Sequence, residues 1–534
     1  MPVPQLLQHE LATDPLKRGF DKIADLLAVT LGPTQGVILS KHETRAAPEI
    51  LSDAATIARR IIALPDRAED VGAMLARNLV WRQHLRAGDG CATTAVLAQA
   101  ILRHARAYIA AGGNAMMLRR GIERAGRAAI DALKTMARPA KNEQLAQVAE
   151  TITGDPKLSA LLAEIFTKLG PAAHVTVEDY LAPYLERQYY EGGRFVGRLV
   201  SPYFITDSAT RRANIADCHV ALYAGTVSSI DDIEPLLKIV AETSWHQVAL
   251  IANEISGTAL MTLVLNHQQG KLKILAAELR ENETKRAYDF DDLAALTGAT
   301  ILSPETGRPL AKIDPSDLGA APRVEADADE LIVVAGEGDP EAVKRQAAKI
   351  SARIETLNDN DDEIKDLKFR LARLNGQIAK LMIGAHTEAE RNVIHQQAEK
   401  AIRALPLALR EGVVPGGGVA FLNCIPAVRA VDARGDEAFG VHAIARALEE
   451  PFKRIAQNAG LDAPALLIAD AQQRGAQFGC DALTGQIVSM DDAGILDSVG
   501  VAREALQTAI SGAVMALTTE TIVLHENPQT SYEP

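Results

Sequence analysis

Apolar positions along this chain change their period twice, and the changes divide it into blocks. From residue 10 to 31, Phe20, Ile23, Leu26, Leu27 and Val29 recur at helical spacing, and Gly32-Pro33 stops the run. Gly36-Val-Ile-Leu-Ser-Lys41 reads as a strand, and Ile50-Leu51 as the end of a second short one. Ser52-Asp53-Ala54 then opens a helix with Ile57, Ile61 and Ile62 on one side, and Ser52 or Asp53 suits its N-cap. Ala-rich helix covers 68–111, interrupted at 88–90, and Gly112-Gly113-Asn114 separates it from a helix over 116–136. The pattern then changes. Short helices near 142–152 and 156–169 lead to a strand at 174–178, and Gly192-Gly193 reads as a hinge or a turn. Strand-like runs at 219–223, 248–252, 271–275 and 331–334 are interleaved with helices at 231–243, 256–268 and 290–297, the alternation of an α/β domain with a buried sheet.

Between 339 and 380, Val343, Ile350, Ile354 and Leu357 form one helical stripe, and Ile364, Leu367, Leu371, Leu374 and Ile378 a second. The acidic Asn358–Asp362 between them predicts an antiparallel helical pair. Ala-rich helices return at 385–411 and after 418, and the last runs from 498 to 519. A helical block that leaves, gives way to α/β and comes back predicts a nested architecture. Its two glycine loops, near 88 and 416, are then expected to meet in one domain.

Composition narrows the function classes. Apolar residues make up 47% and aromatic residues 4%, so the cores are built from Ala, Leu, Ile and Val. A net charge of −13 argues against a nucleic-acid partner, which calls for a basic patch. Cys91, Cys218, Cys424 and Cys480 form no close C-x-x-C pair, which suggests a reducing compartment and no zinc site. Met1-Pro-Val-Pro-Gln5 lacks the basic-then-apolar pattern of a signal peptide, and no run reaches the ~18 uncharged apolar residues of a membrane span. The expectation is a cytoplasmic protein with no membrane partner.

The stretch Arg86-Ala-Gly-Asp-Gly-Cys-Ala-Thr-Thr-Ala-Val96 carries the clearest chemistry. Gly88 and Gly90 permit close backbone approach, and the helix beginning after them offers free amides and a positive dipole end. Asp89 repels an anion by itself but suits a divalent cation held between it and a phosphate. Read physically, this is an Mg-nucleotide site at a helix start; the plainer alternative is a Gly-rich turn capped by Asp89.

Several distant segments together resemble one family. From about residue 10 to 525 the chain resembles a group I chaperonin. The segments are Val29-Thr-Leu-Gly-Pro33, Ala87-Gly-Asp-Gly90, Val96-Leu-Ala-Gln-Ala-Ile101, Leu118-Arg-Arg-Gly-Ile122, Thr176-Val-Glu-Asp179, Ser201-Pro-Tyr-Phe-Ile205, Glu411-Gly-Val-Val414 and Gly494-Ile-Leu-Asp497. The resemblance implies a multidomain α/β chaperonin fold: a mostly helical equatorial domain (1–135 and 411–534), a small intermediate domain (136–191 and 377–410) and an α/β apical domain (192–376) inserted in the middle. It implies a homo-oligomeric ring, a double heptamer, that binds non-native client proteins and a co-chaperonin lid. The implied cofactors are ATP and Mg2+, with K+ as a further candidate.

By the same resemblance, Thr30, Leu31, Gly32 and Pro33 form the first phosphate loop. Asp89 holds the magnesium, with Gly90 beside it and Thr93 the retained hydroxyl. Gly417 lies near the ribose, Asp481 and Ala482 near the adenine, and Asp497 binds the ribose hydroxyls. Asp53 stands near the γ-phosphate and helps activate water. Leu199, Tyr203, Phe204, Leu237, Leu260, Val264 and Leu265 correspond to apolar client- and lid-binding positions, whereas Glu234 puts charge where the family has leucine.

The departures cluster on the γ-phosphate side. Three family threonines become Cys91, Ala92 and Thr93, so two hydroxyls are lost, and Ser52 and Ala54 replace the family's lysine and glycine around Asp53. In Glu399-Lys400-Ala-Ile-Arg403, Lys400 stands at the family's main hydrolytic aspartate. A protonated amine cannot accept a proton from water, and Glu399 is turned ~100° away on a helix. The C-terminal Asn527–Pro534 lacks the Gly-Gly-Met repeats of many relatives. The expectation is an ATP-binding chaperonin with weakened hydrolysis; alternatives are a nucleotide-insensitive holding ring or a regulatory subunit of a mixed ring. Lys400 is expected either to bond phosphate directly or to pair with Asp53 or Asp89.

Overall fold

The computed structural model describes the chain except for residues 1–4, 35, 42–48, 172, 181, 208–210, 243–245, 335–339, 357–361, 375–376 and 525–534. The tail Asn527–Pro534 and most of the Asn358–Asp362 turn therefore lie outside the described residues. The chain forms two compact units. One comprises Met1–Pro171, Asp179–Leu185 and Ile383–Pro534; the other comprises Ala172–Glu178 and Glu186–Met382.

The first unit is helical, and small residues set its packing. Helix Glu10–Ala28 buries Leu16, Phe20, Ile23 and Leu27 on one side, as its apolar stripe requires. It crosses helix Arg67–Ala87 at two glycines. A Cβ on Gly19 would sit 1.7 Å from the Glu69 carbonyl oxygen, and one on Gly72 would sit 1.8 Å from that of Leu16. Helices Cys91–Ala110 and Val499–Leu517 are apolar on most of their faces because both run through the core. The strand Gln5–Gln8 pairs antiparallel with Thr521–Leu524, tying the two ends of the chain together.

The second unit is built on a nine-stranded mixed sheet. Its centre is three parallel strands, Ala213–Val227, Gln247–Ile255 and Lys273–Leu279, with Val248 facing both His219 and Ile274. Helices Ile230–Glu242 and Gly257–Gln268 make the crossovers. Strand Gln247–Ile255 is buried from Val248 to Ala252, which is why that run is continuously apolar rather than alternating. Two expectations are corrected here. Gly192 and Gly193 are neither hinge nor turn: they lie within strand Leu185–Leu199, paired with Val334 and Val333. Ile378 does not continue the helical stripe, because the helix Asp362–Leu374 ends before it and Gln377–Ile383 is a strand. Ile350 of helix Pro340–Glu355 and Leu367 and Leu374 of its neighbour reach the sheet's core. No helix among the described residues is long and apolar enough to cross a membrane.

Candidate functional site

The site begins where helix Arg67–Ala87 stops. Gly88, at φ 71°, closes that helix by donating its N–H to the His84 carbonyl at 2.9 Å. A Cβ there would lie 2.5 Å from the Arg403 Cβ and 2.7 Å from the Lys400 carbonyl oxygen, so glycine lets helix Glu388–Glu411 rest on the turn. Gly90, at φ 78°, N-caps helix Cys91–Ala110 and turns its first amides outward. The Gln83 side chain fixes the turn between them by donating to the Asp89 carbonyl at 2.8 Å. Gln83 carried no signal in the sequence; only the fold shows its part.

The second glycine loop arrives from the other half of the unit. Strand Val413–Pro415 pairs with Leu496–Ser498, with Val414 opposite Asp497, and the Gly416 N–H donates to the Ile495 carbonyl at 2.9 Å. Gly416–Gly418 thus follow directly from the strand pair that carries Asp497. The two loops lie in one unit, as expected, and beside the first of them is a narrow cavity of about 50 Å³ that Asp497 reaches and Gly416–Gly418 do not. Asp89, Gly90, Thr93 and Asp497 line it, with Phe421 beside them and Val148 and Ile152 of helix Asn142–Thr153 closing it. Burial first, and then the charge of Asp89, pushes the Asp497 carboxyl up to about 7.

Other expected contacts lie outside this lining. Thr30 is buried and donates its hydroxyl to the Leu27 carbonyl at 2.8 Å, within its own helix end. Leu31 and Ala28 offer their carbonyls to the Asn458 side-chain amide, both at 2.8 Å, and Gly32 holds φ 97° against Ile455, ahead of Pro33. A Cβ on Gly417 would meet Met490 at 2.8 Å. Asp481 spends its carboxylate on its own turn, accepting from the Leu483 N–H and the Thr484 hydroxyl, and Ala482 is buried.

The residues expected near the γ-phosphate form an ion pair. Asp53 N-caps helix Ala54–Arg60, accepting from the Thr56 N–H and hydroxyl, both at 2.8 Å through Oδ2. The expected N-cap role of Asp53 is therefore observed. Its Oδ1 faces the Lys400 ammonium at 3.0 Å; the side chains are 8% and 21% exposed. Burial by itself raises the Asp53 pKa, but the charge of Lys400 and the Thr56 N–H outweigh it and hold the carboxyl below its ordinary value. Burial would likewise lower Lys400; the charges of Asp53 and then Asp89 reverse this and raise it, so it remains an ammonium. Of the two carboxylates expected as partners for Lys400, it is Asp53 that it meets.

Arg403, one turn along the same helix, reaches His84 at 2.5 Å. Lys400 and Arg403 stand at i and i+3, the spacing that could have revealed their shared face. Burial, then the Arg403 charge, pushes the imidazole of His84 down to about 4, so it is neutral and accepts from the guanidinium. His84 stacks on Trp81, whose ring also carries the Arg59 guanidinium at 4.6 Å. Cys91 turns inward, its Sγ 3.6 Å from the Val80 carbonyl oxygen, and burial raises its thiol well above the ordinary range. It acts as core rather than as a replacement hydroxyl.

In the α/β unit, Tyr203 and Leu265 are 63% and 55% exposed, while Leu199, Leu237, Leu260 and Val264 are half-buried against the sheet's core. Phe204 corrects the expected client-binding set: it is fully buried and packs edge-on against His267. Met261, 67% exposed and four residues before Leu265, joins the exposed set and was missed, although its i,i+4 spacing marks the shared face. Glu234 is satisfied by Lys238 at 2.8 Å.

Two glycine loops joined through one helical core, with a separate α/β unit inserted between them, define a chaperonin subunit. The model of the TCP-1/cpn60 chaperonin family matches residues 23–180 and 230–527, and the chain belongs to that family. Its fold is similar to that of the chaperonin gp146 from bacteriophage EL 2 (Pseudomonas aeruginosa), crystallised in the presence of ATP-BeFx. Two crystal forms of that protein give TM-scores of 0.74 and 0.69 at 18% identity, covering 98% of this chain and 99% of the other.

Proposed function

We propose that this protein is a chaperonin ring subunit that binds non-native polypeptides, takes up Mg-ATP at the Asp89–Asp497 cavity, and hydrolyses it slowly. The observation that carries this reading is the Lys400–Asp53 ion pair at 3.0 Å.

The donor set suits a magnesium nucleotide. Asp89 supplies a hard carboxylate oxygen, Thr93 a hydroxyl and the start of helix Cys91–Ala110 its free amides. Asp89 and Thr93 would hold Mg2+, which would supply positive charge to offset that of the phosphates. Asp497 suits ribose hydroxyls, and neutralising Asp89 would remove the smaller of the two causes that raise its pKa, burial being the larger. At about 50 Å³ the cavity is far below the ~300–1,000 Å³ of a ligand pocket, so Val148 and Ile152 must move outward to admit a nucleotide. K+ is an additional candidate cation.

Catalysis is where the chain's own residues fall short. Asp53 is locked by Thr56 and Lys400, and Lys400 itself cannot take a proton from water. Loss of a general base costs ~10²–10⁴ in rate. Lys400 instead supplies positive charge toward the phosphates, which favours binding over turnover. Exposed Tyr203, Met261 and Leu265 suit clients and a co-chaperonin lid, and family membership supports assembly into a homo-oligomeric ring. The same ion pair also favours a second reading, a ring that holds clients without cycling.

Steady-state phosphate release from the purified assembly tests the proposal. Turnover should be at least ~10²-fold below that of an ordinary chaperonin, and Lys400→Asp should raise it. Ordinary turnover in the unmodified protein would overturn the reading, and nucleotide-independent client refolding would favour the holding ring.

A further inference from the structure

A cavity of about 690 Å³ opens within the α/β unit, away from the exposed Tyr203–Met261–Leu265 set in its lining. Its floor is a buried charge cluster. Arg370 grips Asp292 through two bonds at 2.7 and 3.1 Å, and Arg373 donates to the Asp289 Oδ1 at 2.6 Å and also to Asp292. Gln346 adds a bond to Asp292 at 3.2 Å, so Asp292, which is completely buried, is well satisfied. The guanidinium groups are further fixed over aromatic rings, Arg370 on Tyr288 and Arg373 on Phe195, each at 4.3 Å.

Asp289 is different. It is 4% exposed and lines the cavity, yet its Oδ2 has no hydrogen-bond partner among the described residues. A buried acceptor left unpaired costs ~1–3 kcal/mol, and more when charged, so it calls for a donor. The rim indicates the donor's charge. Lys285 pairs with Asp366 at 3.0 Å and Arg353 with Glu363 at 3.1 Å, and those charges cancel. The two arginines of the floor cancel Asp289 and Asp292. Glu281 and Glu283 then remain at the cavity without an ion-pair partner among the described residues, so the cavity carries net negative charge. A metal ion does not answer to this arrangement, because no three His, Cys, Asp or Glu side chains converge among the described residues. Val196 and Leu367 supply an apolar wall instead.

We propose that this cavity binds an alkylammonium group, with the ammonium donating to the Asp289 Oδ2, attracted by Glu281 and Glu283, and the alkyl stem on Val196 and Leu367. A free diamine and a lysine side chain of a bound polypeptide offer the same chemistry. The site is independent of the nucleotide reading above.

Isothermal titration of the full-length assembly at low salt tests this with putrescine, a single-lysine unstructured peptide and its ε-acetyl-lysine counterpart. Binding of putrescine alone supports a free amine as occupant; binding of the lysine peptide but not the acetylated one supports a polypeptide. In either case Asp289→Asn should weaken binding at least about tenfold. Because Asp289 is buried, the rim double variant Glu281→Gln/Glu283→Gln provides an independent check: it should weaken binding several-fold with an unchanged melting temperature. No amine binding at millimolar concentration, equal binding by the acetylated peptide, or affinity unchanged in both variants would overturn the proposal.

Discussion

Replacing Lys400 by methionine keeps most of the side-chain volume and removes only the charge opposite Asp53. The pair lies 3.0 Å apart with the carboxylate side chain 8% exposed. At an effective dielectric of about 20, the gross attraction at that distance is about 5–6 kcal/mol. Desolvating both ions offsets much of it, whereas removing one partner strands the other, which typically costs 3–5 kcal/mol. Asp53 keeps its two bonds from Thr56, so Lys400→Met should destabilise the helical unit by about 2–4 kcal/mol. Adding Asp53→Asn removes the stranded charge, so the double variant should recover part of the loss. A double-mutant cycle from denaturant midpoints should therefore give a coupling of about 2 kcal/mol or more.

The pH dependence of this coupling follows from the directions of the two shifts. The Asp53 pKa is depressed, so its contribution is present above the ordinary carboxylate pKa and is lost as pH falls through the folded value. The Lys400 pKa is raised, so its contribution is complete below the ordinary lysine pKa and is lost as pH rises through the folded value. The coupling should therefore be flat from about pH 5 to 10. A coupling below about 0.5 kcal/mol at pH 7, as for an exposed pair, would refute the claim that Lys400 holds Asp53.

At the helix crossing, Gly19→Ala forces a Cβ against the Glu69 carbonyl, where only 1.7 Å is available; thermal melting should show a loss of about 3 kcal/mol or more, beyond ordinary overpacking. Phe204→Ala should cost ~3–5 kcal/mol as a core cavity, whereas Met261→Ser, at a position 67% exposed, should leave melting unchanged and reduce capture of a denatured client. Asp497, raised to about 7, binds its proton more tightly folded than unfolded, so its contribution to stability is present below the ordinary carboxylate pKa and is lost as pH rises through about 7. Asp497→Asn should therefore raise the melting temperature at pH 8 relative to pH 4 while weakening nucleotide binding.

The amino-acid sequence by itself determined the elements and their nesting. Helical positions such as Phe20, Ile23 and Leu27, the continuous apolar run of Val248–Ala252 and the breaks at Gly32-Pro33 and Gly112-Gly113 are local signals, legible because burial repeats with the period of the backbone, although Val29 of the same expected stripe is exposed. The motif around Asp89 and the substitution at Lys400 were legible for the same reason: each is a matter of residue type at a known place. Where local pattern and long-range pairing disagreed, the tertiary structure decided. Gly192-Gly193 looks like a turn, but pairing with Val333 and Val334 keeps it extended; Ile378 fits a helical stripe, but a sheet position takes it. Phe204 follows an exposed tyrosine and yet fills the core. Whether Lys400 would meet Asp53 or Asp89 could not be read from its own helix. It depends on the glycine at 88 letting that helix lie close enough for the ammonium to reach Asp53, residues 347 positions apart in sequence and 3.0 Å apart in space.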